Sequence, residues 1–188
     1  PLAIPNGVAI DGNGDVVAQI TKALGTLKKI DVLRVISHGS DGKLWFGKQS
    51  FDTNTLHAHS PQVAAWKKSL SADAQILLYG CRVAETDQGR SFVNQLATSM
   101  HARVAASTNA TGMGGDTNLE FQVGRLSDGI LASAASYERA DVSLQGDFGD
   151  EMDAISSIHW NDVETWHSSL TNWTNNQNGT ATVTMAFD

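Results

Sequence analysis

Between residues 8 and 123 the apolar positions fall into short runs of strand length, alternating with segments of helical spacing. Val8-Ala9-Ile10 is stopped by the turn-forming cluster Asp11-Gly12-Asn13-Gly14. Asp15 is placed to cap a helix whose apolar residues are Val16, Ile20, Ala23, Leu24 and Leu27. Val32–Ile36 is a β-branched run that ends in a loop of small residues, Ser37 to Gly42. Lys43–Gly47 and Gln49–Phe51 read as a short hairpin, and a helix is expected from Pro61 to Leu70. Ala74–Tyr79 is a buried-strand pattern ending at Gly80-Cys81. The helix after it starts near Asp87 and carries Phe92, Val93, Leu96, Ala97 and Met100 on one face. Arg103–Ser107 and Leu119–Val123 are two further strands, separated by a Gly-rich loop.

This alternation predicts an α/β fold, a mainly parallel sheet flanked by helices on both faces with right-handed crossovers. The pattern fades after residue 126. The expected organisation is an α/β domain over 1–126, a linker or flexible loop over 127–150, and a small appendage over 151–188. Trp160, Trp166 and Trp173 make that appendage Trp-rich. Its end, Thr180–Phe187, alternates polar and apolar residues after an Asn-Gly turn, which predicts a β-hairpin.

Composition narrows the function classes. The 188 residues carry a formal charge of −7, which argues against nucleic acid or an anionic membrane as the main partner. No apolar window is long enough to span a bilayer. Pro1-Leu2-Ala3-Ile4 shows no basic stretch followed by an apolar one, so no signal peptide is expected in these residues. Cys81 is the single cysteine, which excludes an internal disulfide framework.

Two predicted strands end in chemically able residues: Val32–Ile36 delivers His38, and Ile76–Tyr79 delivers Cys81. Catalytic groups collect at the carboxyl ends of strands in open parallel sheets. Gly39 and Gly80 allow close backbone approach, and backbone N–H groups at a strand-to-helix turn stabilise a thiolate and an oxyanion. The pair therefore suits acyl transfer by a thiol nucleophile with a histidine acid/base. The plainer alternative is that Cys81 is a small buried hydrophobe and His38 a polar loop residue.

The segments Ile36-Ser37-His38-Gly39-Ser40-Asp41-Gly42, Leu77-Leu78-Tyr79-Gly80-Cys81, Val104-Ala105-Ala106-Ser107-Thr108 and Gly114-Gly115-Asp116 resemble DUF4347. That domain belongs to large secreted bacterial surface proteins and is grouped with the caspase-like (clan CD) cysteine peptidases. The resemblance spans roughly residues 8–125. It implies a caspase-like fold, with Cys81 as nucleophile, His38 as general acid, and the N–H groups of Gly39 and Cys81 as oxyanion hole. It further implies that Tyr79 lines the pocket for the residue before the scissile bond, and that substrate pairs along Val104–Asn109, touching Ser107, Thr108 and Asn109. Asp116 and Glu120 would favour a basic residue there, although acidic residues in Gly-rich loops are commonly just solvated. The implied partner is a peptide or protein, including the parent chain, at the bacterial surface or outside the cell, with no cofactor or metal. A further strand ahead of Val8 is also implied, and this chain does not show one. A non-catalytic module for adhesion, secretion or assembly is the alternative.

Other constellations are weaker. Asp11–Asp15 begins like a calcium loop, but Val16 and Lys22 stand where Gly and a bidentate Glu are required. His57-Ala58-His59 has no partner ligands at recognisable spacing and reads as surface loop. Asn109, Asn172 and Asn178 open glycosylation triplets, which a bacterial origin would leave idle. The late tryptophans suit a carbohydrate platform or, more ordinarily, packing of the appendage.

Overall fold

The computed structural model describes residues 7–112, 115–127 and 181–187. The readings placed on Trp160, Trp166, Trp173, Asn172 and Asn178 lie outside them. A six-stranded mixed sheet is built from β1 (Gly7–Ile10), β2 (Ile30–Ile36), β6 (Leu70–Tyr79), β7 (Arg103–Ala106), β8 (Phe121–Val123) and β9 (Ala181–Phe187). The strand order is β1-β9-β2-β6-β7-β8. Every pairing is parallel except β7 with β8. A second, antiparallel sheet of β3 (His38–Ser40), β4 (Lys43–Phe46) and β5 (Gln49–Asp52) branches from the end of β2.

Four helices complete the described fold: α1 (Val16–Gly25), α2 (Thr53–Ala58), α3 (Ser60–Trp66) and α4 (Asp87–Met100). Asp15 caps α1, its carboxylate accepting the Ala18 N–H at 2.9 Å, and Asp52 does the same for α2 through Thr55. The expected helix from Pro61 stops at Trp66, passes through a 3-10 turn at Lys67–Ser69, and gives way at Leu70 to β6. The apolar run at 74–79 marks only the inner half of that strand. Upstream, Ser71 to Asp73 extend it towards solvent, where apolar patterning carries no signal.

Alternation along the strands builds two cores. Leu33, Val35, Ile76, Leu78, Val104 and Ala106 face α1, α3 and α4 in the larger one. Phe92 at its centre is fully buried, its ring edge-on to Phe51 with centroids 6.3 Å apart, while Phe51 stacks on Trp66 at 5.8 Å. Val32, Leu77, Tyr79 and Ala105 form the second core, covered by Leu119 and Leu126.

Helices were expected on both faces, but among the described residues all four helices share the core of one. The reason is topological: β1, β2, β6 and β7 step across the sheet in one direction. Crossovers of one hand then put every connecting helix on the same side. The C-terminal strand also departs from expectation. It occupies the slot between β1 and β2, so both of its edges are taken and it cannot belong to a separate hairpin. Ser127, expected to open a linker, is held on β6, where its N–H donates to the Gln75 side chain at 2.7 Å.

Removing the Phe92 ring should leave a cavity that the surrounding aromatics cannot close. Phe92→Ala is expected to cost about 3–5 kcal/mol, read as a lower urea midpoint at unchanged slope.

Candidate active site

The site forms where β2 and β6 end side by side. Ile36 pairs with Tyr79, and the Ser37 N–H donates to the Tyr79 carbonyl at 3.1 Å, so the two strands release their chains together. Beyond that point the chain of β2 turns into β3, which carries His38 opposite Trp45. Gly39 then lies flat on the backbone of Gly80 and Cys81. A Cβ at position 39 would stand 2.7 Å from the Cys81 carbonyl oxygen and 2.8 Å from its nitrogen. No side chain fits there, which is the physical reason for glycine at 39. The histidine and cysteine loops are therefore brought together, with the Gly39 and Cys81 backbones adjacent.

A second tie fastens the same loops. The Asp41 carboxylate accepts the Thr86 N–H at 2.9 Å and the Thr86 hydroxyl, and Gly42 N–H donates to the Val83 carbonyl at 3.0 Å. Gly89 leaves the space that this carboxylate occupies, since a Cβ there would lie 2.3 Å from Asp41 Oδ1. Thr86 in turn caps α4 by accepting the Gln88 N–H. Asp41, Thr86 and Gly89 support the two loops in a way that sequence reasoning missed. A Thr-Asp pair opening a helix is a legible cap, but nothing in it names a partner 45 residues upstream.

Cys81 itself is 5% exposed and covered by the loop that follows β7. The Thr111 N–H donates to Sγ at 3.3 Å, and the thiol donates to the Thr111 carbonyl at 3.5 Å. Arg82, with φ of 58°, takes a left-handed turn directly after the cysteine, held by its N–H on the Asn109 carbonyl at 2.7 Å. Burial pushes the Cys81 thiol above its ordinary value of 9.0. The Thr111 backbone, the Arg82 charge and its own N–H oppose this without overcoming it. The thiol is therefore neutral at neutral pH in this closed arrangement.

The expected substrate contacts are arranged differently from one another. Ser107, Thr108 and Asn109 sit beside the cysteine loop, and the Ala84 N–H donates to the Ser107 carbonyl. The edge at Val104–Ala106 is not available to a substrate, because β8 already pairs with it. Tyr79 is buried in the second core beside Leu77 and Leu119. Asp116 and Glu120 both accept from the Asn109 amide, at 3.2 and 3.0 Å, and Glu120 also accepts the Thr108 N–H at 2.8 Å. Their charges brace the covering loop. Among the described residues two open clefts, of about 430 and 420 Å³, are lined by other residues: one by Asn13 to Val17 with Gln49, the other by Gly42, Lys43 and Asp52 to Asn54 with Gln88.

Asp11 closes its own turn on Asn13, and Gln19 brackets the Asp11 backbone from α1. His57 and His59 stand at the junction of α2 and α3 instead of in a loop, with His57 Nε2 3.0 Å from Gln95.

An α/β protein with a histidine loop and a cysteine loop joined at one sheet edge is thus defined. The chain matches the model of the family described as a domain of unknown function, DUF4347, over residues 5–141, and it belongs to that family. No curated protein and no solved structure matches it.

Because the folded state holds the Cys81 proton to higher pH than the unfolded chain, Cys81 contributes stability that is complete below the ordinary thiol value and lost as pH rises beyond it. Wild type should lose stability relative to Cys81→Ser as pH climbs past 9.0. Urea titrations of both proteins across that range provide the measurement. Gly39→Ala should force the two loops apart and cost about 2 kcal/mol or more, visible as a lower Tm.

Proposed function

We propose that this protein is a caspase-like cysteine endopeptidase that uses Cys81 and His38. The observation that carries the reading is the contact of Gly39 with Gly80 and Cys81, which puts a histidine-bearing loop against the cysteine loop. In the reaction, the Cys81 thiol gives its proton to His38 as Sγ bonds to the scissile carbonyl carbon, while the Gly39 and Cys81 N–H groups stabilise the oxyanion. The C–N bond breaks as His38 gives a proton to the leaving amine. Water then hydrolyses the thioester and restores the thiol. Substrate approaches along Ser107–Asn109, and Asp116 with Glu120 lends negative charge to that approach. The substrate is a peptide or protein of the bacterial surface, the parent chain included.

Catalysis requires Thr111 to move off Sγ, since a neutral, covered thiol is a poor nucleophile. That same cover favours a second reading, a non-catalytic member of the fold that serves adhesion, secretion or assembly.

A thiol-reactive peptide probe and mass spectrometry of fragments separate the two. The enzyme reading expects probe labelling of Cys81 faster than a free thiol and fragments that disappear in Cys81→Ala. His38→Ala should lose about 10²–10⁴-fold in rate. Identical fragments from Cys81→Ala, or labelling no faster than a free thiol, would leave the non-catalytic module.

A further inference from the structure

The sheet contains a slot that the chain fills from far away in its own sequence. β1 and β2 do not pair with each other, and β9 lies between them, parallel to both. Gly7 to Ile10 pair with Thr184 to Phe187 on one edge of β9, and Ile30 to Ile36 pair with Ala181 to Ala186 on the other. Among the described residues β9 is the only sheet neighbour of β1. Without β9, one edge of β2 would present a row of unpaired N–H and C=O groups, and β1 would have no place in the sheet.

We propose that this slot is a strand-acceptor site, and that a second copy of this chain fills it with its own residues 181–187. Three observations support an exchange between copies. First, Ala181–Phe187 contains no charge, no Gly and no Pro, and Thr182, Val183 and Thr184 are all β-branched, so the segment pairs readily wherever an edge is open. Second, residues 128–180 separate it from Ser127 on β6, a length of chain sufficient, at on the order of 175 Å fully extended, to reach a neighbouring copy. Third, an exchanged strand makes the same contacts as the chain's own. The two forms differ only in chain entropy, and a long connection lowers the effective concentration of the chain's own strand. Exchange therefore rises with protein concentration and persists on dilution, because reversal requires the strand to leave both neighbours. This inference does not depend on the protease reading.

The test uses the full chain in isotopically heavy and light forms, mixed in denaturant, refolded at high or low concentration, and weighed by native mass spectrometry. Heavy–light dimers should appear at high concentration and survive dilution. Val183→Pro, which removes a backbone donor from β9, should lower the dimer yield about tenfold when refolded alone. Mixing Val183→Pro with wild type should recover dimers. Monomer at every concentration, or equal dimer from Val183→Pro alone, would overturn the proposal. Should Val183→Pro fail to fold, an added Ala181–Phe187 peptide should restore its circular dichroism and a scrambled peptide should not. Equal effects of both peptides, or of neither, would count against the slot.

Discussion

The contact of a single backbone against another, Gly39 on Gly80 and Cys81, is the constraint around which the described site is built. It demands that two strands end at the same level, which the parallel register of Ile36 with Tyr79 provides. It demands that neither loop carry a side chain between them, which the two glycines provide. It also demands a fastening, because a contact between bare backbones has little dispersion energy of its own. The Asp41 carboxylate supplies it by bonding both polar groups of Thr86. The small β3-β4-β5 sheet, which otherwise decorates the end of β2, acts as the stiff support on which the histidine stands.

Much of the scaffold was legible in the sequence because burial writes itself into apolar spacing. The apolar buried face of α4, Phe92, Val93, Leu96, Ala97 and Met100, was readable, and only Gly89 among its buried residues was not. So were the inner half of β6 and the Asp15 cap. The helix α2 was not, since Thr53-Asn54-Thr55-Leu56-His57-Ala58 has one buried residue and takes its stability from Asp52 and from packing on β5. The single-sided helical layer was missed for a different reason. Periodicity reports that a strand is covered on both faces, but not whether helices or the side chains of Leu119 and Leu126 do the covering.

Candidate site residues divide in the same way. His38 and Cys81 could be named because chemistry and strand ends are both visible in one dimension. Thr111 could not, since nothing local in Ala110-Thr111-Gly112 marks it as the cover of a thiol 30 residues away. Tyr79 was read as a pocket residue from the family resemblance alone, and strand alternation puts it with Leu77 on the second face. The placement of β9 was equally hidden: alternation identifies a strand but not its neighbours.

The loop over Cys81 has a further consequence, in the chemistry of oxidation. Accessible thiolates are the species that oxidants take and that attack disulfides, and Cys81 lies under the closed loop with burial pushing its thiol above the ordinary value. Burial under the loop that follows β7 thus slows oxidation of the lone cysteine, while the Thr111 N–H works the other way by favouring the thiolate.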